Sequence, residues 1–257
     1  MTAVSDVVAR LRASGSVFAE DEAELLIAES RTPEELESMI EQRVVGLPLE
    51  VIVGWAEFCG LRVVVEPGVF VPRKRTEVVV REAVAMARPG AVVVDLCCGT
   101  GAVGVAIHAA VGGVELHASD IEPAAVRCAR RNVEPLGGAL YEGDLFDPLP
   151  ASLRGRVDLL VVNAPYVPTD SIALMPPEAR EHEPHITLDG GADGVDIQRR
   201  IAAGAAEWLA PGGRLLIETS REQSRHTVAA FRAADLTAEV RRAEDVDGTV
   251  VIGGHAG

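Results

Sequence analysis

Asn163-Ala164-Pro165-Tyr166 follows directly on the apolar run Val157-Asp158-Leu159-Leu160-Val161-Val162. This places an amide, a constrained backbone carbonyl and an aromatic face at the tip of a buried strand. Such a cluster can hold a planar NH2 group and present its nitrogen to an electrophile. The Asn163 oxygen and the Ala164 carbonyl would each accept one N–H, which turns the nitrogen lone pair outward. Pro165 restricts Ala164 to extended geometry and so aims that carbonyl. Tyr166 supplies an aromatic face beside that planar group. A tetrapeptide alone is also what an ordinary turn after a strand looks like. Upstream lies a glycine-rich turn, Asp95-Leu96-Cys97-Cys98-Gly99-Thr100-Gly101, that could hold the electrophile.

Ligands of open parallel sheets bind beyond the carboxyl ends of the strands, where this turn falls. Gly99 and Gly101 permit a tight turn and close approach of a ligand. Gly99 to Gly104 also satisfies the GxGxxG pattern, which leaves a dinucleotide open at this point. The flanking carboxylates favour another nucleoside. Asp95 would meet a cationic amino group or structure the loop. Asp120 ends the next strand, where it can accept two ribose hydroxyls or cap the helix from Pro123. Asp144, in Gly143-Asp144-Leu145-Phe146, suits an adenine amino group with Leu145 or Phe146 beside the ring, or else a solvated turn.

The elements that must position these groups read as α/β. Strands are expected at Ala91–Leu96, Val114–Ser119, Ala139–Glu142, Val157–Val162 and Arg214–Glu218. Helices are expected at Gly101–Val111, Pro123–Val133, Asp196–Leu209 and Glu222–Arg232. Thr237–Arg241 and Thr249–Ile252 suit a closing antiparallel pair. The alternation predicts a mainly parallel sheet covered on both faces. Ala164 to Val195 lacks periodicity, as functional lids often do. Before the sheet, a helix is expected at Arg75–Arg88. Leu61–Glu66 and Val69–Val71 around Pro67-Gly68 suggest a hairpin. Residues 1 to about 55 read as short helices, one with Thr32 as N-cap, Pro33 at N1 and Glu35 at N3.

The chain has 257 residues, nearly half of them hydrophobic, enough for one catalytic domain and a small companion. A formal charge of -15 argues against nonspecific binding to nucleic acid or anionic membranes. A protein or small-molecule partner is the better expectation. Cys59, Cys97, Cys98 and Cys128 form neither a disulfide framework nor paired CxxC zinc spacing, and suit a reducing cytosol. Neither a signal peptide nor a membrane span is expected.

Taken together, these motifs resemble class I S-adenosylmethionine-dependent methyltransferases, and among them the HemK/PrmC family of protein-glutamine N5-methyltransferases. The resemblance runs through Gly46-Leu47-Pro48-Leu49, Gly54 to Leu61 and Pro67-Gly68-Val69-Phe70-Val71-Pro72-Arg73, then Asp95 to Gly101 and Asn163 to Tyr166. It ends in Glu183-Pro184 with Gly190-Gly191-Ala192-Asp193-Gly194. It implies a Rossmann-like, mainly parallel seven-stranded sheet with a small N-terminal helical domain. The implied division is residues 1–60 for substrate docking, 61–74 as a linking hairpin and 75–257 for methyl transfer.

S-adenosylmethionine is the implied cofactor, held by Asp95, Cys97, Cys98, Gly99, Thr100, Gly101, Asp120, Ile121, Asp144, Leu145 and Asn163. The implied catalytic group is Asn163 to Tyr166, with Arg73 and Thr76 beside the substrate. No metal is required. The implied substrate is a glutamine in a peptide chain release factor or a ribosomal protein, in the cytoplasm. Three positions depart from the family pattern: Ala164 for the usual Pro, Arg75 for a commonly acidic residue, and Ser220 where glycine is more usual. Two other readings stay open. One is a nucleic-acid amino methyltransferase, against which the charge and the lack of a basic recognition domain argue. The other is a non-catalytic S-adenosylmethionine-binding protein.

Overall fold

A computed structural model describes residues 4–175, 180 and 183–255. Four helices come first: α1 (Val4–Ala13), α2 (Ala19–Glu29), α3 (Pro33–Val44) and α4 (Leu49–Val53). They share their own core, in which Val7, Leu11, Leu26 and Ile40 are fully buried. The start expected for α3 is present. The Thr32 side chain accepts from the Glu35 N–H, and the Glu35 carboxylate accepts from the Arg31 N–H. Arg43 on α3 pairs with Glu22 on α2 at 2.8 Å, which joins the two helices.

The hairpin lies earlier than expected. It pairs β1 (Trp55–Phe58) with β2 (Leu61–Val64), and Val69–Val71 forms no strand. Its two-residue turn is Cys59-Gly60, with φ of 51° and 75°. Such a turn matches the twist of the strands it joins, whereas Pro67 brings no N–H to a ladder. Asn132 fastens this hairpin to the main fold. Its side chain accepts from the Val64 N–H and donates to the carbonyls of Val64 and Thr100.

Helix α5 (Glu77–Met86) leads into the sheet of β3 (Val92–Leu96), β4 (Glu115–Asp120), β5 (Ala139–Glu142), β6 (Val157–Val162), β7 (Leu209–Glu218), β8 (Glu239–Ala243) and β9 (Gly248–Gly253). The order is β5-β4-β3-β6-β7-β9-β8, with β9 antiparallel to both its neighbours and the other pairs parallel. Order reverses between β3 and β6, so the crevice above β3 is the expected ligand site. Strand β7 begins at Leu209, earlier than the sequence suggested, and its pairing with β6 shifts register between Val157 and Leu159.

Both sheet faces are apolar, which explains the continuous hydrophobic runs. Val93, Leu159, Val161 and Leu216 pack toward α5 and α6 (Ala102–Val111). Val94, Leu160, Leu215 and Ile217 pack toward α8 (Asp196–Trp208) and α9 (Ser224–Ala233). Helix α7 (Pro123–Val133) joins the first face through Ala129 against Ala118. Among the described residues no helix is long and apolar enough to cross a membrane.

Candidate active site

A cavity of about 580 Å³ opens above β3 and β6, lined on one side by residues 97–100 and on the other by residues 163–167. That volume is typical of pockets that enclose a small cofactor. The turn after β3 is built to stay open. Cys97 holds φ of 55° and Gly99 of 56°. A Cβ on Gly99 would meet nothing nearer than the Phe70 carbonyl, at 4.0 Å, so the missing side chain leaves room for a ligand. Gly101 serves packing instead. A Cβ there would lie 2.7 Å from Val133, and Gly101 is not among the lining residues.

Two carboxylates shape this wall. Asp95 is buried, and its Oδ2 accepts the Gly104 N–H at 2.9 Å, which ties the first turn of α6 to the end of β3. Burial pushes its carboxyl up to about 8, against the Gly104 hydrogen bond and with the help of the nearby Asp120 charge. Asp120 accepts from the Gly99 N–H through Oδ2 and from the Glu122 N–H through Oδ1. It structures both loops rather than capping α7, and its carboxyl is also raised by burial. Both acids line the cavity, and carboxylate oxygens that each hold one N–H keep lone pairs for a ligand.

The opposite wall carries the turn after β6. Asn163, Ala164, Pro165 and Tyr166 all line the cavity. Asn163 Nδ2 donates to the Thr76 hydroxyl at 3.4 Å, and the Tyr166 hydroxyl donates to Glu218 Oε1 at 3.3 Å. Burial raises the Tyr166 hydroxyl well above its ordinary value, so it stays a neutral donor. Past Tyr166 the chain is laced to the glycine-rich segment. Val167 N donates to Leu188 O, Gly190 N to Val167 O, and Thr169 N to Gly191 O. Gln223 then clamps the two together, donating to the Tyr166 carbonyl at 2.7 Å and the Asp193 carbonyl at 3.0 Å. Ser220 donates to the Gln223 side-chain oxygen, which leaves the amide nitrogen facing those carbonyls.

Arg73 also lines the cavity and pairs with Glu183 at 2.5 Å. Glu183 also accepts from the Val71 N–H, so this pair holds the late loop against the chain after the hairpin. Arg75, the departure from the acidic family pattern, sits 3.7 Å from the buried Glu218 carboxylate. A cation there offsets a charge that an acid would have opposed.

The expected site therefore divides. Of the residues expected to hold the cofactor, Asp95, Cys97, Cys98, Gly99, Thr100, Asp120, Ile121 and Asn163 line one cavity. Arg73, Thr76 and Tyr166, expected beside the substrate, line the same cavity. Asp144 and Leu145 are not among the lining residues. Asp144 instead pairs with Arg200 at 2.6 Å, and Leu145 packs against the second core. Glu50 and Gln223 were not singled out from sequence, Phe70 entered only within a longer motif and Glu218 only as the end of a strand. Glu50 reaches the cavity from α4, and nothing in its local pattern marks it.

A family model described as "Methyltransferase small domain" matches residues 60–175. A release factor glutamine methyltransferase of Geobacter sulfurreducens is 40% identical, over 88% of this chain and 80% of its own. A 4-amino-L-phenylalanine/4-methylamino-L-phenylalanine methyltransferase of Streptomyces pristinaespiralis is 39% identical, over 76% of this chain and 68% of its own. Among solved structures, the E. cuniculi Mtq2-Trm112 complex, described as responsible for methylation of the eRF1 translation termination factor, aligns with a TM-score of 0.52. It is 19% identical and covers 74% of this chain and 99% of its own, a likeness of fold.

Proposed function

The chain belongs to the HemK/PrmC family of release factor glutamine methyltransferases, and from that premise we propose that it methylates the side-chain amide nitrogen of a glutamine in a release factor. It is an S-adenosylmethionine-dependent methyltransferase. The observation that carries the reading is the pairing of Asn163 and the Ala164 carbonyl with the open Gly99 turn across one cavity.

The cavity residues fit the cofactor. Asp120 would take the ribose hydroxyls, Asp95 the cationic amino group, and the Cys97–Thr100 backbone the space between. When bound, S-adenosylmethionine supplies an electrophilic methyl on a sulfonium. The protein's work is then positioning and exclusion of water. An amide nitrogen is a poor nucleophile because its lone pair is delocalised. Asn163 Oδ1 and Ala164 O would accept its two N–H bonds and turn the lone pair toward the methyl. Tyr166 would cover the amide plane. Ala164 in place of Pro keeps the carbonyl, and Pro165 still aims it. The N-terminal helices would dock the protein substrate. Four free cysteines suit a cytoplasmic setting.

One observation favours a second acceptor. Arg75 lines the cavity half-exposed and would pair with the carboxylate of a free amino acid bearing an aromatic amine. Labelled S-adenosylmethionine offered in parallel to a release factor, ribosomal protein, RNA and 4-amino-L-phenylalanine separates these readings. Label in the release factor supports the first. Label in the free amino acid alone supports the second, and label in RNA alone overturns both.

A further inference from the structure

Two of the three departures from the family pattern, Ala164 and Ser220, are linked through one side chain. Gln223, just ahead of α9, is 9% exposed. Its Nε2 donates to the Tyr166 carbonyl at 2.7 Å and to the Asp193 carbonyl at 3.0 Å. Its Oε1 accepts from the Ser220 hydroxyl at 2.8 Å, and its backbone N–H donates to that hydroxyl oxygen at 3.1 Å. A glycine at position 220 would make neither bond. Tyr166 in turn lies two residues past Ala164, which is buried at the end of the turn after β6.

We propose that Gln223, held by Ser220, is a positioning residue that fixes the direction of the Ala164 carbonyl, a restraint the family's usual proline would supply at 164 itself. This inference rests on the methyl-transfer reading of the site, in which that carbonyl accepts one substrate N–H. Rotation about the Ala164 N–Cα bond swings the carbonyl directly. A proline holds this angle to within about 15°, whereas a residue that only precedes a proline ranges over about 40° either way. Upstream, the chain is anchored by β6, which ends at Val162. Rotation at Ala164 therefore carries Pro165 and Tyr166 with it, and a fixed point at the Tyr166 carbonyl stops the swing. The bonds from Val167 to Leu188 and from Thr169 to Gly191 tie the turn only to the late loop, which could move along with it. Gln223 ties turn and loop together to the start of α9. The two carbonyls can only accept, so Gln223 must present Nε2 to both, which leaves Oε1 facing away. Ser220 gives that oxygen its donor, and without it a nearly buried acceptor would stand unpaired.

The test measures kcat and S-adenosylmethionine affinity for Gln223→Ala and Ser220→Gly, each made in the native chain and again beside Ala164→Pro. In the native chain Gln223→Ala should lower kcat by about tenfold to a hundredfold, the scale of a misplaced reacting group. Ser220→Gly should lower it by about threefold to tenfold, the net worth of one hydrogen bond. Either loss should exceed any loss of cofactor affinity. Beside Ala164→Pro, and taken against Ala164→Pro alone, each loss should shrink severalfold, because the two restraints act on the same rotation. Undiminished kcat in Gln223→Ala overturns the proposal. Losses of equal size in the two backgrounds also overturn it, since a bond that served folding alone would give them. Should the wild type label no release factor, the substrate reading fails by itself. The clamp is then read from hydrogen exchange at the Val167 and Thr169 amides of the S-adenosylhomocysteine complex. Gln223→Ala and Ser220→Gly are expected to speed exchange there by about threefold or more, and Ala164→Pro to slow it again. Unchanged exchange overturns the clamp.

Discussion

In the proposed reaction the Asn163 oxygen serves because it offers the substrate nothing but lone pairs. Asn163→Ala is expected to lower kcat by on the order of a hundredfold, the usual cost of removing one preorganised polar partner. The loss of kcat should exceed any loss of cofactor affinity, which a paired turnover and equilibrium-binding measurement would check. Asp95 is proposed to act on the other ligand. Its carboxyl is raised to about 8 by burial, so it is largely protonated in the ligand-free protein below that pH. A cationic amino group favours the carboxylate, and binding therefore releases a proton. Affinity for S-adenosylmethionine should rise with pH until pH passes about 8, then level off. Asp95→Asn should remove that rise and weaken binding by about tenfold or more at high pH. Titration calorimetry of both proteins across the range cancels the ligand's own ionisation, and equal slopes would refute the assignment. The same shift has a stability consequence of definite sign. The ligand-free fold gains from Asp95 below its ordinary value of 3.8 and loses that gain as pH rises through about 8. Asp95 and Asn163 were legible in sequence because each ends an apolar strand. Asp144 was placed by the same logic, but its partner Arg200 lies on α8, and no local pattern announces a pair so distant.

At the scale of elements, the site depends on segments that lace to one another rather than on any single loop. Gly194 shows how tight the lacing is. It holds φ of 77°, and a Cβ there would run into the Tyr166 carbonyl and the Gln223 amide. Gly194→Ala should therefore displace the Asn163–Tyr166 turn and lower kcat by tenfold or more, by order-of-magnitude reasoning on misplacement. A full-rate variant would show that the clamp is dispensable. Asn132→Ala removes three hydrogen bonds that tie the hairpin to α7 and the cofactor turn. It should cost about 2 kcal/mol in chemical denaturation. The strands and helices of the sheet were readable because both faces are apolar and turns are marked by Gly and Pro. The hairpin was misplaced because Pro67-Gly68 looks like a turn by composition, whereas Cys59-Gly60 makes one by backbone conformation. Gln223 gave no signal, since its role appears only once α9 meets two distant carbonyls.

For the whole molecule, the charge of -15 bears on how a partner arrives more than on the chemistry. Asp21 and Glu24 are exposed on α2, within the helices proposed to dock the substrate. Asp21→Lys with Glu24→Lys should raise KM for a release factor severalfold, by the usual scale of steering effects, and leave cofactor affinity alone. An unchanged KM would move docking elsewhere. The N-terminal helices were expected from periodicity, but that one of them delivers Glu50 to the cavity follows only from how they sit on the sheet. The central claim is that this cavity transfers a methyl group to a glutamine amide held by Asn163. The direct measurement is mass spectrometry of a release factor after incubation with S-adenosylmethionine and either the wild-type enzyme or Asn163→Ala. One added methyl on a glutamine side-chain nitrogen, lost with the variant, is the predicted result. A methyl on any other residue, or one placed equally well by Asn163→Ala, would contradict it.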